Sequence, residues 1–402
     1  MSKDAGVTSA FDDISWADLR QRRSLKWRKY PGHVLPSWVA EMDFPLADPI
    51  KRALHDAVDR DDAGYASFEG FAEALSTFLA ARLSWSVDPG HISAVPDVMA
   101  GITESLRLLT EPGDGVVINT PVYPPFFTAI ADAGRVVVQA PLARSGDGYR
   151  LDFDGLRDAF AAGARCYLLC SPHNPTGLVF PRAELEQVVE LARQYDVAVL
   201  ADEIHAPITL PGATFTPYLS IGPQAARRAV TLTSASKSFN LPGLKCAALI
   251  ATDSEVLRLT ERITMDVRLR TGLFGVLAAV AAFNESGEWL DDAISCIDGN
   301  RQLLGKLLAE RLPEVRYRPP EASYLAWLDF AAYGLGDNPA ATLLARGDVA
   351  LASGPDFGTL GAGFARLNIA TSPALLTEAV DRMATAVLGD QPMERPMARS
   401  RP

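Results

Sequence analysis

A lysine stands directly after a strand-like apolar run, where charged residues are rare. The run AVTLTS (residues 229–234) leads into SASKSFNLPGLKCA (234–247), in which Lys237 is the first charged residue. Burying an ammonium group costs several kcal/mol unless a partner compensates for it. Lys237 therefore either points back to solvent or offers its amine for chemistry, and a lysine amine can form a Schiff base with a carbonyl compound.

Polar residues also follow other strand-like runs. Asp202 follows the apolar run VAVLA (197–201) and begins the polar part of ADEIHAP, which also holds His205. Asn174 lies in SPHNPTG, and Tyr123 lies in TPVYPPF. In open α/β sheets, ligands bind in the crevice outside the carboxyl ends of the strands. The sequence therefore predicts that these segments and Lys237 meet in one place.

Pyridoxal phosphate (PLP), an aldehyde with a phosphate tail, is a cofactor that would use this set. Lys237 would hold the aldehyde, Asp202 would pair with the pyridinium nitrogen, Asn174 would donate to the phenolic oxygen and Tyr123 would stack on the ring. Each residue alone has a simpler interpretation: a solvent-facing lysine, a capping or loop aspartate, a turn asparagine and a packing tyrosine. Their combination favours the cofactor.

The phosphate of such a cofactor would need donors from two further segments. Ser234 and Ser236 supply hydroxyl groups beside the lysine, and Lys245 supplies a second positive charge. The stretch PDVMAGITESLRLLTEPGD (96–114) predicts a tight turn that opens a helix. The backbone amides of Met99 and Ala100 at the start of that helix would favour an anion by their direction and by the helix dipole.

The elements that must position these residues alternate between strands and helices. Short apolar, β-branched runs predict the strands, and RAELEQVVELARQY (182–195) carries its apolar residues at helical spacing. Such continuous runs alternating with helices indicate an α/β fold with a mostly parallel central sheet. The predicted strands are GVVINT (115–120), RVVVQAP (135–141), CYLLCS (166–171), VAVLAD (197–202), AVTLTS (229–234) and CAALIA (246–251).

A change of pattern predicts a second, smaller α+β domain. A long helical region begins near residue 254, and RYRPPEASYLAWLDF and ARLNIA follow it. We predict a large domain at 46–290, a small domain at 291–388 to which the amino-terminal arm at 1–45 contributes, and a boundary within one long helix. The Pro- and Arg-rich tail at 389–402 is expected to be disordered.

Composition excludes several classes of function. The 38 basic and 49 acidic residues give a net charge of −11, which argues against nucleic-acid binding. No apolar run is long enough to span a membrane, and the start MSKDAGVTSAFDD is no secretory signal. The 4 cysteines form no disulfide framework and the 5 histidines have no zinc-like spacing, so we expect no metal. These features predict a cytoplasmic protein.

In order and spacing, these motifs resemble fold type I PLP-dependent enzymes of the class I/II aminotransferase superfamily. The motifs that carry the resemblance are SASKSFNLPGLK, NPTG, DEIH and the late ARLNIA, and it extends from about residue 20 to residue 385. Within the superfamily, LPSWVAEMDFPLADPI (35–50), AGYASF (63–68) and DEIHAP resemble the C–S β-lyases of the MalY/PatB type, also called cystathionine β-lyases.

The resemblance implies a role for each matching position. It implies that Lys237 binds the cofactor covalently, with Asp202, Asn174 and Tyr123 around the ring. It implies phosphate contacts for Met99, Ala100 and Ser234, and for Tyr65 a contact with the phosphate of a neighbouring subunit, so that a homodimer shares its sites. Arg366 in ARLNIA matches the arginine that holds the substrate carboxylate, a task for which its planar fork is suited.

Three positions depart from the patterns of the wider superfamily or the subgroup. Lys245 stands where many aminotransferases have arginine, so a point charge would meet the phosphate. His205 stands where aminotransferases usually have a tyrosine near the phenolic oxygen, and the lyase subgroup shares this histidine. Arg28, in the arm segment RRSLKWRKY (22–30), stands where an acid is expected.

The resemblance implies a C–S β-lyase that acts by α,β-elimination on cystathionine or a related cysteine S-conjugate, giving a thiol, pyruvate and ammonia. An aminotransferase that uses the same residues is the first alternative. A regulatory protein that keeps the fold and binds a protein partner is the second.

Overall fold

The computed structural model describes residue 11 and residues 14–146 and 148–389. Most of the polar start and, apart from Gly389, all of the predicted tail at 389–402 lie outside these residues. No helix in the described ranges combines the length and the apolar character that crossing a membrane requires.

The described residues contain short strands that group into four sheets. In chain order they are β1 (Leu35–Pro36), β2 (Ile92–Val95), β3 (Gly115–Ile118), β4 (Val136–Gln139), β5 (Ala143–Ser145), β6 (Gly148–Arg150), β7 (Cys166–Cys170), β8 (Ala198–Asp202), β9 (Ala229–Thr233), β10 (Ala247–Ile250), β11 (Arg316–Tyr317), β12 (Leu325–Asp329), β13 (Val349–Ala350), β14 (Ala352–Ser353) and β15 (Phe364–Asn368).

Helices connect most of these strands. In chain order they are α1 (Trp16–Leu19), α2 (Leu25–Arg28), α3 (Asp48–Asp59), α4 (Phe71–Leu83), α5 (Val98–Leu109), α6 (Pro125–Asp132), α7 (Phe153–Ala161), α8 (Arg182–Tyr195), α9 (Pro223–Ala226), α10 (Ala235–Ser238), α11 (Ser254–Thr260), α12 (Met265–Arg268), α13 (Leu273–Glu285), α14 (Gly287–Arg311), α15 (Pro339–Gly347) and α16 (Pro373–Leu388).

The central sheet has seven strands in the order β2-β10-β9-β8-β7-β3-β4. All of its strands run in one direction except β10, which is antiparallel to both neighbours. Every residue of β7, β8 and β9 is buried, as expected for parallel strands with both faces covered. The carboxyl ends of these three strands consequently lie side by side.

A smaller antiparallel sheet has the order β11-β12-β15-β14. Its core also takes in the amino-terminal arm, because Leu19, Trp27 and Phe44 pack in the same apolar cluster as residues of β12, β15 and α16. The parallel pair β1 and β13 joins the arm to this part of the chain. The arm therefore packs with residues more than 300 positions later in the sequence.

One helix, α14, passes from the core of the large sheet to that of the small sheet. Leu290 belongs to the apolar cluster at the large sheet, and Ala293 on the same helix belongs to the cluster that contains β12 and β15. This arrangement agrees with a division near residue 290, although the domain limits themselves stay a prediction.

The predicted α/β fold is confirmed, and the six predicted strands match β3, β4, β7, β8, β9 and β10. The helix at 182–195 is α8, and the long helical region is divided into α11 to α14. The edge strand β2 is missing from our prediction, because HISAV is short and half polar. The direction of β10 is not predictable from CAALIA, since a buried strand has the same composition in either direction.

Candidate active site

A cavity of about 210 Å³ opens at the carboxyl ends of β7, β8 and β9. Parallel strands end at one edge of a sheet, so the residues that follow them converge there. Its lining includes nine residues that the sequence predicted for the site: Met99, Tyr123, Asn174, Asp202, His205, Ser234, Ser236, Lys237 and Lys245. Arg366, Ala100 and Tyr65 do not line it.

Lys237 lies on the short helix α10, which begins directly after β9. Ser234 caps this helix by accepting the backbone N–H of Ser236 at 3.0 Å. The Lys237 Nζ donates to the carbonyl oxygen of Ala40 at 2.9 Å. Desolvation in the cavity, followed by the charge of Arg366, lowers the pKa of Lys237 to about 8, although Asp202 acts in the opposite direction.

Asp202 is the last residue of β8 and is buried. Its Oδ1 accepts the backbone N–H of Ile204 at 3.1 Å. Burial raises the pKa of Asp202 to about 7, and the hydrogen bond from Ile204 and the charge of Lys237 offset only part of that effect. A cationic partner in the cavity would therefore stabilise the charged form of Asp202.

His205 is buried beside the same cavity. Burial, with smaller contributions from the charges of Lys237 and Arg366, lowers the pKa of His205 to about 3. The imidazole is therefore neutral near pH 7. Its Nδ1 is buried and has no hydrogen-bond partner among the described residues, and its ring lies edge-on to that of Tyr324, with centroids 6.0 Å apart.

Arg366 lies on β15, an inner strand of the small sheet. The Arg366 Nη1 donates to Asn174 Oδ1 at 2.8 Å, and Nη2 donates to the carbonyl oxygen of Trp38 at 3.1 Å. The guanidinium also lies over the ring of Phe357, 5.0 Å from its centroid.

Arg366 is a buried charge that no acid in the described ranges neutralises through a salt bridge. The side chain is buried, and burial lowers the pKa of Arg366 to about 10. Its Nε has no hydrogen-bond partner within the described part of the chain. A buried guanidinium of this kind favours an anionic ligand, and a carboxylate matches its fork.

At the start of α5, Asp97 accepts hydrogen bonds from two of the donors that were predicted for the phosphate. Asp97 caps α5: its Oδ1 accepts the N–H of Ala100 at 2.8 Å, and its Oδ2 accepts from Lys245 Nζ at 3.0 Å. The Ser234 hydroxyl donates to the carbonyl oxygen of Cys246 at 2.7 Å. The sequence predicted the helix start correctly but missed Asp97, whose type is that of an ordinary helix cap.

Tyr123 and Tyr65 have different surroundings. Tyr123 is half-buried at the cavity, and burial raises the pKa of its hydroxyl. Tyr65 is 85% exposed in a turn ahead of α4. A phenol with that exposure is available to a second molecule, whereas it contributes nothing to the cavity of its own chain.

Comparison with known proteins places the chain in a family. Residues 39–383 match the family described as aminotransferase class I and II. The chain belongs to this family. The cystathionine beta-lyase PatB of Bacillus subtilis is 35% identical over 389 residues, which cover 92% of this chain and 99% of PatB. The cystathionine beta-lyase of Corynebacterium glutamicum is 34% identical over 374 residues, covering 92% and 98%.

A solved structure gives the same result for the fold. Cystalysin from Treponema denticola, whose crystal structure contains pyridoxal 5′-phosphate, has a TM-score of 0.87 and 28% identity, covering 92% of this chain and 97% of cystalysin. The predicted aminotransferase class I/II membership, the MalY/PatB-type resemblance and the fold type I architecture are thus confirmed.

The residues of this cavity fit the cofactor of the family. Asp202 is a buried acid with one hydrogen bond, His205 has a buried nitrogen without a partner, and Lys237 brings an amine whose pKa is lowered. The helix start of α5 and Lys245 supply positive charge at the phosphate end. The aminotransferase class I and II family is PLP-dependent, and this donor set agrees with that chemistry.

Sequence reasoning missed the part that the arm plays at the site. The carbonyl oxygens of Ala40 and Trp38 accept from Lys237 and Arg366, and backbone groups carry no signal in residue type. Arg28 is exposed on α2, and its Nη2 donates to the carbonyl oxygen of Gln21 at 3.3 Å. Lys26 instead joins two parts of the arm: its Nζ forms a salt bridge of 2.7 Å with Asp43.

Proposed function

We propose that this chain is a PLP-dependent carbon–sulfur β-lyase that cleaves cystathionine or another cysteine S-conjugate into a thiol, pyruvate and ammonia. One observation carries the proposal: a lysine with a lowered pKa and a buried acid line one cavity, and a buried guanidinium without an acidic partner is hydrogen-bonded to Asn174 in the lining of that cavity. The names of the relatives support elimination at a sulfur substituent.

The residues that would hold the cofactor follow from their positions. Lys237 would bind its aldehyde, Asp202 would keep its ring nitrogen protonated, and Asn174 and His205 would face the phenolic oxygen. Tyr123 would pack on the ring. The bound cofactor supplies an electron sink that stabilises negative charge at the substrate α-carbon. Ser234, Ser236, Lys245 and the backbone amides of Met99 and Ala100 would hold the phosphate. For this, the Ala100 amide and Lys245 would exchange their hydrogen bonds to Asp97 for hydrogen bonds to the phosphate.

Lys237 is the residue that we assign to proton transfer at the α-carbon. A general base works best when its pKa lies near the operating pH, and the value of about 8 meets that condition. The Ala40 carbonyl accepts a hydrogen bond from Nζ and so fixes the direction of the amine. Asp202 is the acid that balances positive charge in the cavity during this transfer.

Arg366 is the residue that we assign to the substrate carboxylate. Asn174 and the Trp38 carbonyl hold its two Nη atoms, and the ring of Phe357 supports the plane of the guanidinium. A carboxylate bound to this fork fixes one end of the amino acid, which places its α-proton for removal by Lys237.

The two alternatives share these residues and differ in outcome. An aminotransferase would remove the same α-proton but would pass the amino group on to a 2-oxo acid instead of expelling a β-substituent. We favour elimination because a thiolate is a good leaving group and because the cystathionine beta-lyases of two organisms are 34% and 35% identical over almost the whole chain. A purely regulatory protein would have no use for the set of Lys237, Asp202 and Arg366.

We also infer a cytoplasmic homodimer in which each chain completes the site of the other. The exposure of Tyr65 supports a role outside its own chain. The Tyr65 hydroxyl would reach the phosphate bound by the neighbouring copy.

An assay of products separates the three functions. The purified, PLP-loaded protein is incubated with L-cystathionine with and without an added 2-oxo acid, and pyruvate, ammonia and thiol are measured. We expect all three products in equal amounts without the oxo acid. Amino transfer that requires the oxo acid, with no pyruvate from any thioether, would identify an aminotransferase. Absence of both reactions, together with capture of a protein partner in a pull-down, would identify a regulator.

A further inference from the structure

The backbone segment 39–42 (VAEM) passes directly over Lys237 and is held at one end by Asn240. This asparagine lies three residues after Lys237, just past the end of α10. Its Oδ1 accepts the backbone N–H of Met42 at 2.8 Å, and its Nδ2 donates to the carbonyl oxygen of Met42 at 2.9 Å. The side-chain amide therefore satisfies both polar backbone groups of one residue.

A second asparagine holds the other part of the same segment. The Asn368 Nδ2 donates to the carbonyl oxygens of Val39 at 2.8 Å and of Glu41 at 2.7 Å. Its Oδ1 accepts the backbone N–H of Ala370 at 2.8 Å. Asn368 is buried and lies two residues after Arg366 on β15.

Ala40 lies between the carbonyl groups that Asn368 binds. Its own carbonyl oxygen accepts from Lys237 Nζ at 2.9 Å and from the hydroxyl of Tyr324 at 3.2 Å. The two asparagines thus fix the backbone on both sides of the one carbonyl that contacts the lysine amine.

We propose that Asn240 and Asn368 are positioning residues that hold the Ala40 carbonyl against the amine of Lys237 and so direct this amine during proton transfer. The inference rests on the proposed role of Lys237, and it adds a specific means by which the arm acts in catalysis. Because Asn240 follows α10, the helix that carries Lys237, its hydrogen bonds to Met42 hold this helix and segment 39–42 together. Asn368 connects the same segment to the strand of Arg366.

The conformation of Asn240 allows a sharp test. Its φ of 58° lies in the left-handed region, which asparagine, aspartate and glycine tolerate best. Asn240→Gly removes the amide without straining the backbone, and Asn240→Asp keeps an oxygen acceptor for Met42 but loses the donor. Asp196→Gly is the matched control, since Asp196 has a φ of 52° and caps α8 at the end far from the cavity.

The first measurement is hydrogen–deuterium exchange at the amide of Met42 in the PLP-loaded protein. A hydrogen bond of ordinary strength corresponds to about a tenfold change in an equilibrium constant. We expect Met42 to exchange about tenfold faster in Asn240→Gly than in the wild type, and Asp196→Gly to leave this exchange unchanged. This measurement does not depend on which reaction the enzyme catalyses.

The second measurement is the isotope effect on kcat with substrate deuterated at the α-carbon. A misdirected amine slows proton removal, so we expect Asn240→Gly to lower kcat about tenfold and to raise the isotope effect, with Asn240→Asp in between. Unchanged exchange at Met42, or faster exchange with wild-type kcat and isotope effect, would overturn the proposal. If the enzyme proves to be an aminotransferase, the same isotope effect is measured on amino transfer, so failure of the lyase assignment is recognised separately.

Discussion

The carboxylate of Asp202 is buried and accepts one hydrogen bond, from the backbone N–H of Ile204. Its negative charge therefore needs a positive partner in the cavity. Removing one member of a buried charge pair typically costs about 3–5 kcal/mol, or roughly two to four orders of magnitude in rate if the whole loss falls on the transition state. We therefore expect Asp202→Asn to bind PLP and to lose turnover by about that factor. Steady-state kinetics of the PLP-saturated variant test this, and near-normal turnover would show that another acid faces the ring.

The buried carboxyl group of Glu203, the neighbour of Asp202, makes the stability of the folded chain depend on pH. It is buried, its Oε1 accepts the N–H of Tyr218 at 2.6 Å, and burial raises its pKa from 4.5 to about 8. Between these values the folded chain keeps a proton that the unfolded chain has released. The stability that this proton contributes is complete below pH 4.5 and is lost as the pH rises through 8.

Glu203→Gln removes this titration and keeps an oxygen that can accept from Tyr218. We expect the variant to be more stable than the wild type at about pH 8.5, by on the order of 2 kcal/mol, and to show a much smaller difference at about pH 5. Thermal unfolding across this pH range measures the difference. A constant offset between the two proteins would show that Glu203 does not titrate on folding.

At the scale of the element, a buried ion pair joins two parts of the amino-terminal arm. Lys26 on α2 is 1% exposed, and its Nζ donates to Asp43 Oδ1 at 2.7 Å and to the Glu41 carbonyl at 3.0 Å. Lys26→Met leaves Asp43 buried without its cation, so we expect a loss of about 3 kcal/mol in stability. Chemical denaturation of the variant measures this loss.

The double variant Lys26→Met/Asp43→Leu is the control, because it removes both charges. We expect it to regain much of the stability that the single variant loses. Equal stability of the single variant and the wild type would mean that the ion pair does not stabilise the folded arm.

The central strands and the residues at their carboxyl ends were predictable because their signal is local. The runs of β7, β8 and β9 are continuous and buried, and polar residues break that pattern at their carboxyl ends. Asp202 ends β8, while Asn174 and Lys237 lie a few residues beyond β7 and β9. The role of segment 39–42 was not predictable from local sequence, because it acts through the backbone groups of Ala40 and Met42. Nor could the type of Asn240 reveal a partner almost 200 residues away.

At the scale of the whole molecule, the proposed dimer predicts that the Tyr65 hydroxyl helps to hold the PLP bound by the neighbouring chain. Tyr65 is 85% exposed, so Tyr65→Phe removes one oxygen without disturbing a core. We expect the variant to fold normally and to release PLP more readily, by about tenfold in its dissociation constant if one hydrogen bond is lost. Equilibrium dialysis measures PLP retention, and a fully active monomer in sedimentation at assay concentration would refute the shared site.

Lys237 is the residue to which we assign α-proton transfer, and exchange of that proton with solvent tests the assignment most directly. The PLP-loaded wild type and Lys237→Ala are incubated in D₂O with L-alanine, which has no β-leaving group, and the α-proton signal is followed by NMR. We expect the wild type to replace this proton with deuterium and the variant, with PLP still bound, to leave it in place. Exchange by Lys237→Ala at the wild-type rate would contradict the assignment.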